Sequence, residues 1–121
     1  MSITIDQFKE IEMRVGLVVE ASEVEGSTKL IKLIVDFGPD DKKTIFTGVR
    51  PFGYTPDYFL NKKWLFVTNL EPKVMPYFAS GGATKGEREE SQGMILAVDG
   101  ADGKPVFVVA ESEVEVGSRV R

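Results

Sequence analysis

The sequence predicts an all-β fold: a small barrel of five to six short strands. Two patterns support this. Short segments that are apolar, or in which apolar and polar residues alternate, recur along the chain and are bounded by turn residues such as Gly38-Pro39 or Asp99-Gly100. A single helix signal, Thr55-Pro56-Asp57, stands between the third and fourth strands. The length of 121 residues suits one domain with a modest core.

A capping box opens the chain. In Thr4-Ile5-Asp6-Gln7, the threonine and glutamine side chains can each accept from the other's backbone N–H, which predicts a helix over residues 5–11. The first predicted strand is Met13–Ala21. Gly16 inside it indicates a bend or a close backbone approach.

A hairpin follows. Leu30–Phe37 is the clearest strand, because its odd-numbered positions from Ile31 are apolar. A four-residue turn connects it to a third strand, Lys43–Thr47, and so short a turn predicts antiparallel pairing.

The second half contains less regular segments. Thr55 is the predicted N-cap of a short helix, with Pro56 in its first position. The remaining predicted elements are a fourth strand at Trp64–Thr68, a mobile loop at Lys73–Glu90, strands at Met94–Val98 and Val106–Val109, and an extended tail at Glu111–Arg121.

This order of elements favours a five-stranded Greek-key barrel of the oligonucleotide-binding (OB) type. The barrel would be partly open, with a short N-terminal helix, a short helix before the fourth strand and an extended C-terminal extension. An immunoglobulin-like sandwich ranks second, since it needs about seven strands and no such helix.

The composition excludes several kinds of chemistry. The chain has no Cys and no His, which argues against a zinc site and excludes serine–histidine and cysteine–histidine catalysis. No apolar segment approaches the roughly 20 residues of a membrane span, and Met1–Glu12 lacks the core of a signal peptide. We therefore expect a cytoplasmic protein with no catalytic residue, metal or cofactor.

The charge is distributed unevenly. The net charge is −4, yet residues 26–90 contain ten bases and eight acids, whereas residues 1–25 contain two bases and six acids. An ordinary solvated surface accounts for this pattern, and so does a basic anion-binding centre.

Three lysines are candidates for phosphate contacts. Lys32 lies on the polar side of the second strand, Lys29 precedes that strand, and Lys73 follows the fourth. In a small barrel the loops that carry Lys29 and Lys73 lie near one rim, so all three could approach the same phosphates. Tyr77 and Phe78 could stack on unpaired bases, although anchoring the loop on the core is the more frequent role.

Six stretches in a fixed order resemble the tRNA-binding domain found at the C-terminus of bacterial methionyl-tRNA synthetases and as a free-standing structure-specific tRNA-binding protein. They are Asp6-Gln7-Phe8-Lys9 with Met13-Arg14-Val15-Gly16, Glu25-Gly26-Ser27-Thr28-Lys29-Leu30, Val35-Asp36-Phe37-Gly38, Tyr54-Thr55-Pro56, Asn69-Leu70-Glu71-Pro72-Lys73 and Ser91-Gln92-Gly93-Met94.

The resemblance implies that residues 1–121 form a single OB-fold domain that binds tRNA by shape, commonly as a homodimer. Such a domain would act alone or as an accessory (beta) subunit of methionyl-tRNA synthetase, with an aminoacyl-tRNA synthetase as a possible partner. The tRNA-binding residues that it implies are Lys29, Lys32, Asn69, Lys73, Ser91, Gln92 and Met94, with Arg14 as an additional contact that is partly structural.

One stretch of this chain departs from the family pattern, and another is shared with a related branch. The stretch between Lys73 and Ser91 is longer by roughly ten residues than the pattern expects; within it Lys85 and Arg88 would favour RNA binding, and its glutamates would oppose it. Val35-Asp36-Phe37-Gly38-Pro39 is also similar to the CsaA-type export chaperones, which bind peptides. Because that branch lacks the Ser-Gln-Gly-Met stretch, the chaperone is the alternative function.

Overall fold

The structure is a computed structural model that describes residues 1–74 and 89–121. Its helices are α1 (Ile5–Lys9) and α2 (Pro56–Phe59), with a 3₁₀ turn at Arg50–Phe52. Its strands are β1 (Met13–Glu23), β2 (Ile31–Asp36), β3 (Lys42–Thr47), β4 (Lys63–Val67), β5 (Lys73–Val74), β6 (Glu90–Ser91), β7 (Met94–Ile95), β8 (Ala97–Asp99) and β9 (Pro105–Phe107).

Five antiparallel strands form a nearly closed barrel in the order β3-β2-β1-β4-β7, which confirms the predicted fold class. The central strand β1 pairs with β4 through Met13–Leu17 and with β2 through Leu17–Glu23. Its register shifts between Val18 and Glu20, and a bulge of this kind bends a strand. One long strand can therefore serve both sides of the barrel.

The barrel closes where β3 meets the segment between β6 and β7. The N–H of Gln92 donates to the carbonyl of Thr44 at 2.8 Å, and the N–H of Thr44 donates to Oε1 of Gln92 at 2.8 Å. The side-chain amide thus supplies a second hydrogen bond beside the backbone one. The open edge of β3 is covered in this way without a full strand ladder.

The core is apolar and rich in aromatic side chains. Phe37, Phe59 and Phe66 are almost completely buried, and the indole N–H of Trp64 donates to the carbonyl of Phe59 at 3.0 Å. At Gly16 side chains come close, not the backbone that the sequence predicted: a Cβ there would overlap Cγ1 of Val35 and the ring of Phe37.

The two helices are short. The capping box of α1 is confirmed, with the N–H of Gln7 donating to the Thr4 hydroxyl and the N–H of Thr4 donating to Oε1 of Gln7. The helix ends at Lys9 rather than at residue 11, and none of its residues is buried. The helix α2 begins at Pro56 as predicted, but the Thr55 hydroxyl makes no capping bond.

Two segments differ from the sequence prediction. The strand expected at Met94–Val98 is divided at Leu96, because β7 pairs with β4 whereas β8 pairs with β9. The ends of the predicted loop after Lys73 form the short β5–β6 ladder. The extended tail lies beside the first residues of β1, with the N–H of Val15 donating to the carbonyl of Ser118. The central part of the predicted Lys73–Glu90 loop, with Tyr77 and Phe78, lies outside the described residues.

Candidate nucleic-acid interface

A small apolar cluster outside the main core organises the candidate site. Val24 and Leu30 from the β1–β2 loop and Phe46 from β3 are buried against each other, and Val74 of β5 packs on them. Lys29 and Lys73 are the sequence neighbours of Leu30 and Val74. The cluster therefore holds the two lysine-bearing segments side by side.

Strand register adds Lys32 and Ser91 to the same neighbourhood. Lys32 on β2 lies opposite Phe46 on β3, and the N–H of Phe46 donates to Oγ of Ser91 at 3.1 Å. Ser91 lies in turn opposite Lys73 in the β5–β6 ladder. The tertiary structure thus brings together Lys32, Ser91 and Lys73, which are up to 59 positions apart in the chain.

The loop that carries Lys29 is held by several hydrogen bonds. The Ser27 hydroxyl accepts from the N–H groups of Lys29 and Leu30, at 3.2 and 3.1 Å. The guanidinium of Arg50 donates to the carbonyl of Ser27 and pairs with Glu23 at 3.4 Å. The Lys29 side chain itself is exposed.

The sequence analysis did not identify Arg50 as part of this region. Its backbone N–H donates to the carbonyl of Lys29 at 3.3 Å, so Arg50 contacts the loop through both backbone and side chain. Arg50 follows Gly48-Val49, just beyond the end of β3. This position is the only sequence signal for its contact with the Lys29 loop.

Ser91 and Gln92 have partners within the chain. Ser91 is 8% exposed; its hydroxyl accepts from Phe46 and donates to the carbonyl of Gly93 at 2.9 Å. Gln92 is exposed, and its Oε1 accepts from Thr44. The arrangement assigns the Ser91 hydroxyl and Oε1 of Gln92 to barrel closure.

Asn69 and Arg14 also have partners within the chain. Oδ1 of Asn69 accepts from the N–H of Glu12 at 2.8 Å, and its amide nitrogen donates to the carbonyl of Glu10 at 2.7 Å. Asn69 thus attaches the segment after α1 to the end of β4.

Arg14 lies on the tail side of β1. Its guanidinium donates to Asp41 at 2.9 Å and to the carbonyls of Phe37 and Gly117 at 3.1 and 3.3 Å. The hydrogen bond from Arg14 lowers the pKa of Asp41 below its ordinary value, with partial burial opposing the shift and the charge of Lys43 adding to it. The structure gives Arg14 the structural part of the role that the sequence analysis foresaw.

Met94 and Lys73 border an open groove of about 520 Å³. Met94 and Leu70 are 47% and 48% exposed, which is high for apolar side chains of that size. Lys73 and Glu71 lie on the same groove, and Phe46 and Ser91 form part of its wall. A groove with apolar walls and a cation at its edge can accept a flat base together with its phosphate.

Two predicted RNA contacts lie outside the described residues. Lys85 and Arg88, the additional RNA contacts expected from the sequence, are among the residues that the structure does not describe. Within residues 1–74 and 89–121, no group of three acidic, His or Cys side chains could hold a metal ion. The same residues include no helix long and apolar enough to span a membrane.

Comparison with known proteins identifies relatives over nearly the whole chain. The family model described as "Putative tRNA binding domain" matches residues 13–119. A methionine–tRNA ligase of Archaeoglobus fulgidus is 39% identical over 118 residues, which are 98% of this chain and 16% of the ligase. A methionine–tRNA ligase of Cupriavidus pinatubonensis is 37% identical over 103 residues, which are 13% of its length. The chain therefore spans less than a fifth of these relatives.

Solved structures share the same fold. A MetRS related protein from Pyrococcus horikoshii superposes with a TM-score of 0.83 at 39% identity, covering 100% of this chain and 99% of that one. The chaperone CsaA from Bacillus anthracis superposes with a TM-score of 0.79 at 20% identity, covering 100% of both chains. At that identity the second likeness indicates a common barrel and nothing about function.

Proposed function

The chain belongs to the tRNA-binding domain family, and from this premise we propose that residues 1–121 act as one non-catalytic domain that binds tRNA by its shape. It acts free-standing or as an accessory subunit beside a methionyl-tRNA synthetase. Shape recognition fits exposed lysines beside an apolar groove, because such groups contact phosphates and base faces without reading base edges.

One observation carries this proposal: Lys29 and Lys73 are both exposed, and each directly precedes a residue of the same small apolar cluster. In the part of the chain that the structure describes, neither of them forms an ion pair. Their charges are thus available to neutralise neighbouring phosphates, and the exposed Met94 lies beside Lys73 on the groove.

A titration of labelled total tRNA at several salt concentrations tests the proposal. The logarithm of the binding constant falls with the logarithm of salt concentration by about 0.7–0.9 per phosphate neutralised. We expect Lys29→Gln and Lys73→Gln each to weaken binding and to reduce this slope by one such increment.

The matched control is Lys42→Gln. Lys42 is also exposed, but it lies at the other end of the β2–β3 hairpin, opposite Asp36. Asp36 is four positions from Lys32 along the strand, which is about 13 Å. If Lys42→Gln lowers the salt slope as much as Lys29→Gln and Lys73→Gln do, tRNA is attracted by diffuse charge and not by a site. Binding of tRNA that does not depend on salt concentration would refute the proposal.

The alternative function, binding of unfolded polypeptide as in CsaA, makes the opposite prediction. Peptide binding in an apolar groove depends weakly on salt and does not respond to removal of Lys29 or Lys73. Titration of a labelled unfolded polypeptide in parallel with tRNA distinguishes the two. Tight, salt-insensitive binding of the polypeptide alone would favour the chaperone.

The homodimer expected from the family is part of the proposal. Ile3, Ile5 and Ile11, around α1, are 61%, 64% and 42% exposed, so the described part of the chain leaves an apolar surface open at this helix. A second copy would cover it. Sedimentation equilibrium should show a dimer that Ile5→Glu dissociates and Asp6→Ala, on the same helix, does not; a monomeric wild type would refute this part.

A further inference from the structure

Lys32 differs from the two other predicted phosphate-binding lysines because it has an acidic partner. Its Nζ lies 2.7 Å from Oε1 of Glu89, and each of the two side chains is 31% exposed. Glu89 comes directly before β6, two residues ahead of Ser91. The ion pair therefore joins β2 to the strand that lies opposite Lys73.

The Glu89 carboxylate takes one of the three N–H donors of the Lys32 ammonium, the group that a phosphate at this site would also contact. Carboxylates and phosphates both offer charged oxygens to an ammonium group at about 2.7–2.9 Å. They also repel each other, so a phosphate gains the full charge of Lys32 only after Glu89 has moved away.

We propose that Glu89 is an intramolecular competitor for RNA at Lys32, and that it sets the tRNA affinity of this chain by limiting the contribution of that lysine. The inference rests on the proposed tRNA binding and names a residue that controls it. Because both partners are partly solvated, the pair is weak enough to open when RNA binds.

The neighbouring residue Glu90 provides a matched control. Glu90 carries the same charge one position further along, is exposed, and borders the same depression of about 250 Å³ as Glu89. Among the described residues Glu90 has no ion-pair partner. A change at Glu90 therefore alters the local charge without releasing Lys32.

The test is the tRNA titration on the full chain with the variants Glu89→Gln, Glu90→Gln, Lys32→Gln and the double variant Lys32→Gln/Glu89→Gln. We expect Glu89→Gln to lower Kd by about two- to fivefold relative to Glu90→Gln, the range that corresponds to opening an exposed ion pair. The salt slope should become steeper by about 0.7, because one more phosphate is neutralised. In the Lys32→Gln background, Glu89→Gln should lower the Kd for tRNA by no more than Glu90→Gln lowers it in the wild type.

Several outcomes would overturn the inference. Equal gains from the two glutamate variants would mean that only net charge matters, and weaker binding of Glu89→Gln would mean that Glu89 holds Lys32 in a productive position. A gain in tRNA affinity from Glu89→Gln that persists in the Lys32→Gln background would exclude competition at that lysine. If neither the wild type nor Glu89→Gln binds tRNA at low salt, the proposed function fails and this inference with it. Thermal unfolding of each variant shows whether all of them are folded.

Discussion

Replacing Ser91 by alanine separates a structural role of the Ser-Gln-Gly-Met stretch from direct contact with RNA. The substitution removes a hydroxyl that is 8% exposed and that bonds the Phe46 N–H and the Gly93 carbonyl. Removing one partner of a buried hydrogen bond costs about 1–3 kcal/mol of stability. In a chain of this size, 1 kcal/mol lowers Tm by about 3–5 °C. We therefore expect Ser91→Ala to lower Tm by about 3–15 °C.

Thermal unfolding followed by circular dichroism measures this change, with Ser112→Ala as the control, since Ser112 is an exposed serine in the C-terminal tail. The control should change stability by less than about 0.5 kcal/mol. Below its Tm, Ser91→Ala should keep the wild-type salt slope for tRNA, because no phosphate contact is lost. An unchanged Tm together with a large loss of tRNA affinity would refute this reasoning and would place Ser91 in direct contact with RNA.

Three further predictions concern the barrel itself. Gly16→Ala should cost about 1–3 kcal/mol in urea unfolding because its Cβ would overlap Val35, whereas Gly48→Ala, with open space around it, should be nearly neutral; equal effects would contradict this packing. Asn69→Ala should cost about 1–2 kcal/mol and should increase hydrogen exchange at Glu12, whose N–H it binds; unchanged exchange there would exclude the attachment. Because the folded-state pKa of Asp41 is lowered, its stabilisation should be full above pH ~4 and lost below it. The stability difference between wild type and Asp41→Asn should therefore shrink as pH falls from 5 to 3, and a growing difference would contradict the assigned direction.

Local patterns predicted the elements of this fold well. The capping box at Thr4–Gln7 and the strand alternation of Leu30–Phe37 depend on neighbours within a few residues, so they were visible in the sequence. Gly16 marked a crowded place in the strand, but the sequence did not show that side chains of β2 and the following turn, not backbone, come close to it. The exact ends of elements were less predictable: Leu96 divides a continuous apolar segment because its two halves pair with different strands.

The candidate site was only partly predictable. The lysines and the Ser-Gln-Gly-Met stretch could be named from the sequence, but their partners could not. Nothing near Asn69 in sequence indicates that its amide binds Glu10 and Glu12, 59 and 57 positions away. The ion pair between Lys32 and Glu89 likewise spans 57 positions.

The sequence by itself determined the class of fold, the absence of Cys and His chemistry, and the basic residues available for an anionic partner. The tertiary structure decided which of those residues remain available to a ligand. Lys29 and Lys73 stay exposed, whereas Ser91 is used to close the barrel and Lys32 is paired with an acid. The physical reason is that a polar side chain takes the nearest suitable partner, and proximity across strands depends on register and closure, which short-range sequence patterns do not encode.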